Sequence, residues 1–311
     1  MIQRISSYVC GPVTNLVWAA GQERSMALIF SLADGTIHFY QALKGNRFEV
    51  TIILCGHPWA VESIDYDRYH HRLATTSGSE VKLWDLTANW DATLRKTANK
   101  DGQTCRAIRF IDNGASLVVT FMETLKVIIW TIEPWKRISK RIFSLNPNNP
   151  CRAGYSHITS DGNYILIDNL RNGADAYSLS SGRHLTTFHA PLTNHKPRHI
   201  ATDVSNSIAI QGSDKRIVYV TNFGTAAPIE TLAHGKTNKP VQAVALFSQG
   251  SHRWIASGGA HNQPSMVIWK EDYGWDYMHI CSSRSVLVLE LCTLDVFSDE
   301  LFCYLSMLCD I

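Results

Sequence analysis

Val81-Lys82-Leu83-Trp84-Asp85, Val127-Ile128-Ile129-Trp130 and Met266-Val267-Ile268-Trp269 are three short apolar runs that each close on tryptophan. Weaker versions fill the gaps between and around them: Thr36-Ile37-His38-Phe39-Tyr40, Ala174-Asp175-Ala176-Tyr177 and Ile217-Val218-Tyr219-Val220. The anchors stand at 40, 84, 130, 177, 220 and 269, so the chain repeats every 43 to 49 residues. Runs of this length, bounded by turn residues, read as strands rather than helices. A period in this range with strand content marks an all-β chain, a β-propeller built from four-stranded blades.

Working outward from the anchors, six blades are legible between about residues 10 and 280. Their innermost strands begin at Val13, Val61, Cys105, Gly154, His199 and Val241. The turn pairs Asp34-Gly35, Asn113-Gly114, Asp161-Gly162, Asn172-Gly173 and Ser181-Gly182 fall between the expected strands. Tight reversals need residues that tolerate positive φ, which these supply.

On these residues the chain resembles the WD40-repeat family. Gly56-His57 opens the second blade and Trp84-Asp85 closes its third strand, 27 residues after the histidine. In that family a histidine, a Ser or Thr of the second strand, a turn Asp and the third-strand Trp are often joined by hydrogen bonds. The turn Asp stands six residues before the anchor only in blades one (Asp34) and five (Asp214). Blade two carries Gly78 there and blade three Thr124. The expectation is that no blade assembles the whole set.

Strand-like segments remain at both ends. Arg4 to Val9 lies where an outermost strand would sit, Ser285 to Cys292 where an innermost strand would sit, and Leu301 to Leu308 could follow as its neighbour. Open sheet edges invite aggregation, and closure removes them. Residues 1–311 are therefore read as a single propeller, with 10–280 forming six blades and 281–311 an incomplete seventh, shared between the two ends. Seven blades are favoured. Six blades with a disordered tail are the alternative.

Composition narrows the function classes. Of 311 residues 45% are hydrophobic and 18% charged, which is globular rather than disordered. Met1 to Tyr8 lacks the apolar core of a signal peptide. The apolar tail is interrupted by Glu290, Asp295, Asp299, Glu300 and Asp310, so it does not read as a membrane span. The eight cysteines form no Cys-x-x-Cys pair and read as free thiols in a reducing compartment, cytoplasm or nucleus.

No residues assemble a recognisable catalytic motif. Neither a Gly-x-Ser-x-Gly elbow nor a Gly-x-x-x-x-Gly-Lys phosphate loop occurs. His195 and His199 have zinc-like spacing only on a helix, and Pro197 lies between them. His70-His71 lacks partner ligands at a suitable spacing. Asp65 and Asp67 read as solvated turn residues. No enzyme activity, cofactor or metal is expected.

The informative polar signal is the placement of charge. The loops that join one blade to the next, with those between second and third strands, carry Arg152, Lys196, Arg198, Lys215 and Arg216. A basic face of this kind concentrates acidic partners and speeds their association. The reading is a non-catalytic interaction scaffold, a WD40-type adaptor in a multi-protein complex. Its expected partner is an acidic protein or peptide, with the ring monomeric within the assembly and no membrane contact. Nucleic acid or an acidic phosphate is the alternative ligand, disfavoured by the net charge of +2. Trp59, beside Pro58 in the loop leading into blade two, is a further candidate contact, because exposed aromatics often anchor interfaces.

Overall fold

Six sheets of four antiparallel strands follow one another along the chain, each pairing its strands in sequence order. The computed structural model describes residues 3–5, 13–20, 26–43, 47–99, 102–121, 126–142, 154–191, 193, 196–205, 207–234, 240–249, 252–259, 265–271, 275–281 and 287–289. A short strand β1 (Gln3–Ile5) comes first. Blade one is β2 (Val13–Ala20), β3 (Met26–Leu32), β4 (Thr36–Leu43) and β5 (Arg47–Cys55). Blade two is β6 (Val61–Asp67), β7 (Arg72–Ser77), β8 (Glu80–Leu86) and β9 (Ala92–Asn99). Blade three is β10 (Cys105–Ile111), β11 (Ser116–Phe121), β12 (Lys126–Thr131) and β13 (Lys136–Ile142). Blade four is β14 (Ser156–Ile158), β15 (Tyr164–Asp168), β16 (Gly173–Ser178) and β17 (His184–His189). Blade five is β18 (Ile200–Asp203), β19 (Ile208–Gln211), β20 (Ile217–Asn222) and β21 (Pro228–Ala233). Blade six is β22 (Val241–Gln249), β23 (His252–Gly259), β24 (Ser265–Glu271) and β25 (Trp275–Cys281), followed by β26 (Leu287–Leu289).

The anchors read from the sequence occupy one register. Tyr40, Trp84, Trp130, Tyr177, Val220 and Trp269 each pair across the third and second strands with a large aliphatic: Leu28, Leu73, Leu117, Ile165, Ile210 and Ile255. All six aliphatics are buried. Trp84 and Trp269 are buried as well, whereas Trp130 is only half-buried and stacks on Trp135 at 6.4 Å between ring centroids.

Within each unit apolar side chains collect between successive blades. Ile29, Ile37 and Phe39 of blade one pack with Val61, Ile64, Leu73 and Trp84 of blade two. Ala74 and Leu83 of blade two pack with Ile108, Leu117 and Val119 of blade three. Leu166, Ala174 and Phe188 of blade four meet Ile200 and Ala209 of blade five, and Val218 and Val220 of blade five meet Val241, Val244 and Trp269. Within each unit, successive sheets therefore cover one another, as packed sheets require. The chain divides into two compact units, Met1–Arg141 with Leu287–Asp310, and Ile142–Val286 with Ile311.

Irregularities recur at matching places in several blades. The innermost strand of blades one, two, three and six carries an extra residue near its start: Thr14, Glu62, Arg106 and Gln242. These residues reach the adjacent blade. The Thr14 hydroxyl donates to the carbonyl of Val61, and Glu62 pairs with Arg106 at 3.1 Å. In the second unit His199 N–H donates to the carbonyl of Gln242 at 2.8 Å. Outermost strands are bulged too, at Thr51, Arg95, Leu185 and Ile229.

The two ends of the chain meet in the first unit. Gln3, Arg4 and Ile5 pair antiparallel with Leu289, Val288 and Leu287. This joins part of each strand-like terminal segment. The described residues thus hold six four-stranded blades, the smaller of the two counts considered, and one two-stranded pair in place of a full seventh. Leu301 to Leu308 lies outside the described residues.

Candidate interaction surfaces

The loop leading into blade two is fixed by a chain of hydrogen bonds. Trp84 Nε1–H donates to Thr75 Oγ1 at 3.0 Å. That leaves the Thr75 hydroxyl proton for His57 Nε2, 2.7 Å away. His57 Nδ1–H then faces Glu80 Oε2 at 3.2 Å, and Lys82 Nζ holds the same carboxylate at 3.1 Å. Each donor has one acceptor only if His57 is neutral. Burial first, then Lys82, holds its pKa down to about 4, against the opposing pull of Glu80. Burial pulls Glu80 upward, but the Lys82 and His57 contacts leave its carboxyl below the ordinary value.

This corrects the expectation that no blade assembles such a set. Glu80 supplies the carboxylate that Gly78 cannot. A related arrangement stands in blade six, where His234 Nδ1 lies 2.6 Å from Ser257 Oγ and the His234 ring 6.4 Å from that of Trp269.

Past this network the chain presents Trp59, which is 72% exposed. Its carbonyl accepts from Ser77 Oγ at 2.9 Å. On the other side Gly35, at φ +90, brings its backbone so close that a Cβ there would lie 2.2 Å from the His57 carbonyl oxygen. The backbone of residues 57–59 is clamped and the indole stands in solvent.

Arg198 does not lie on the surface: the side chain is 1% exposed. Its backbone N–H donates to Asp168 Oδ2 at 2.8 Å. Burial lowers the guanidinium pKa, while Asp168 and Asp214 act in the opposite direction. Asp214 is in turn held by Thr193, whose N–H and hydroxyl both donate to Oδ2. The sequence shows a charged loop residue here but not which way it points.

Three other cations expected at the surface lie in or near the turns of blade five. Lys196 and Lys215 are exposed and Arg216 is half-buried. Ser213 Oγ shapes their turn by accepting the N–H groups of Lys215 at 3.2 Å and Ile217 at 3.1 Å. Arg216 itself is held at φ 54, an uncommon conformation outside glycine. In blade four Asn169 Oδ1 accepts the N–H groups of Arg171, Asn172 and Gly173, which presents Arg171 to solvent. Arg152 lies outside the described residues.

Other candidate groups are occupied by structure. Asp67 is buried and accepts from Tyr69 N–H at 2.9 Å and His70 Nδ1 at 2.8 Å. Asp65 accepts Phe110 N–H at 2.6 Å, and burial raises its pKa against the pull of Arg109. Neither is the solvated turn residue expected from sequence. His71 bonds Tyr66 OH at 2.7 Å and the Thr87 carbonyl at 2.8 Å. His195 lies outside the described residues, and the His199 ring rests 4.0 Å from that of Tyr155. Among the described residues no three His, Cys, Asp or Glu could share a metal ion. No helix among them is long and apolar enough to cross a membrane.

No protein-family profile matches the chain, and no curated protein sequence matches it. Among solved structures it resembles the β-propeller domain of Myceliophteria thermophila Cps50 (Swd1). The TM-score is 0.68 at 14% identity, over 89% of this chain and 88% of that one. Four-stranded antiparallel blades recurring at this period and this likeness together show a β-propeller fold, and the His–Thr–Trp bonding of blade two agrees with the resemblance to WD40 repeats.

Proposed function

We propose that the protein is a non-catalytic interaction scaffold whose second unit captures an acidic protein or peptide segment. The observation that carries this reading is the contrast between base and tip in blades four and five. Asp168, Asp214, Asn169 and Ser213 hold the backbone of these turns by hydrogen bonds, while Arg171, Lys196 and Lys215 are exposed and Arg216 is half-buried. Rigid presentation lowers the ordering cost of association, and like-signed charge raises the on-rate for an acidic partner. Intracellular placement is supported by the free thiols of Cys55 and Cys105.

The test is capture of a Glu-rich peptide by the full chain and by a Lys196→Glu, Lys215→Glu, Arg216→Glu variant. These residues are not core, so the melting temperature should hold while association slows and loses its salt dependence. Equal capture by the variant would place the surface elsewhere, with Trp59→Ala the next substitution to try. A second arm offers single-stranded DNA. Tighter binding of DNA than of the peptide, with a steep salt slope, would move the reading to nucleic acid.

A further inference from the structure

Gln211 breaks the pattern of its own repeat. It follows Ile210, which pairs with the blade-five anchor Val220. The corresponding second-strand residues in the other blades are Ile29, Ala74, Val118, Leu166 and Ala256, all apolar and all buried. The fold therefore has no need of a polar group at this position, yet blade five places a carboxamide there.

That carboxamide is 4% exposed, and neither Oε1 nor Nε2 forms a hydrogen bond within the protein. The large majority of buried side-chain polar atoms in proteins are matched, and an unmatched one is costly. Gln211 lines a small cleft between the outer strands of blade four and the first three strands of blade five. Phe188, Ile200 and Ala209 form apolar walls, and His189 and Tyr219 also line it. His189 is exposed and Tyr219 half-buried, so solvent reaches the cleft from that side. Thr202 Oγ1, a second buried oxygen without a partner, lies two residues beyond Ile200 and so on the same strand face.

We infer that this cleft is a binding site for an amide head-group, the side-chain carboxamide of an Asn or Gln on a partner segment. The chemistry selects it. Gln211 offers one acceptor and one donor side by side, and a second carboxamide returns one of each. A carboxylate would leave Oε1 facing a like acceptor, and an ammonium would leave Nε2 without one. The apolar walls suit the methylene that carries the amide, and the small volume excludes a cofactor-sized ligand. The inference is independent of the basic turns.

The probe is acetamide, titrated into the full chain by NMR and soaked into crystals, with acetate as the contrast. Acetamide should seat against Gln211 with two hydrogen bonds and perturb Ala209 and Tyr219, while acetate does not bind. Gln211→Leu should weaken acetamide by about tenfold or more, since a lost pair of buried bonds is worth at least that factor. The same variant should keep or raise the melting temperature, because five blades already carry an apolar residue there. Gln211→Glu, which keeps the shape and removes the donor, should also lose acetamide and covers the case of a Leu variant that folds poorly. Water alone in the cleft at saturating acetamide, equal binding of acetate, or unchanged acetamide affinity in both variants would overturn the assignment.

Discussion

The indole of Trp84 donates to the hydroxyl of Thr75 at 3.0 Å, and this bond ties the most conspicuous aromatic of the repeat to a buried polar chain that ends at Glu80. Thr75→Val keeps the shape and removes the shared oxygen. It leaves the Trp84 N–H and His57 Nε2 unmatched, and should cost about 1–3 kcal/mol in denaturant unfolding. Trp84→Ala should cost about 3–5 kcal/mol, the range for large core truncations. Trp130→Ala should cost less than Trp84→Ala, because Trp130 is only half-buried.

Acid should weaken this network in a defined window. His57 is held near pKa 4 in the folded chain against 6.5 for the free side chain. Between those values the unfolded chain takes up a proton that the folded chain refuses, so stability falls as pH drops from 6.5 toward 4. Glu80, whose pKa is lowered, acts in the same direction once it begins to protonate. Melting temperature against pH should therefore slope downward on the acid side, and the slope should flatten in His57→Gln.

Arg198 and Arg216 look alike in sequence, each just before a strand of blade five, and are opposite in consequence. Arg198→Met should destabilise by about 3–5 kcal/mol, the cost of leaving buried charge uncompensated, here that of Asp168 and Asp214. The loss should change little with salt. Arg216→Met should leave the unfolding midpoint close to that of the parent. A midpoint unchanged by Arg198→Met would show that the buried guanidinium is not a structural counter-charge.

Deleting residues 1–9 removes Gln3, Arg4 and Ile5 from their pairing with β26. The truncated chain should melt at lower temperature and aggregate sooner, because β26 then has an unpaired edge. An unchanged melting curve would mean that the terminal pair contributes nothing to the first unit.

The repeat was legible because its signal is steric and recurs. Tyr40, Trp84, Trp130, Tyr177, Val220 and Trp269 all face aliphatic partners in one register, and a period survives the loss of any single motif. The polar chain was harder to read. Glu80 stands four residues before Trp84 rather than six, and its longer side chain reaches His57 from a different place in the turn. His234 carries no such signal in the sequence, because alanine rather than glycine precedes it. The basic surface was only half legible. A charged residue in a loop looks the same in sequence whether it turns outward, as Lys215 does, or inward between carboxylates, as Arg198 does. The oddity of Gln211 needed the strand register, which aligns it with Ile29 and Val118 across the blades.

The bulges of the outermost strands bear on how many molecules can share a solution. A regular outer edge offers a ladder of free amides and carbonyls to any other chain. In blades one, two, four and five that ladder is interrupted at Thr51, Arg95, Leu185 and Ile229. Each interruption twists the strand and throws its next donors out of step with a flat neighbour. A second copy laid alongside finds only a few residues in phase before the spacing fails. The outer rims of these four blades are thereby poor seeds for a fibril.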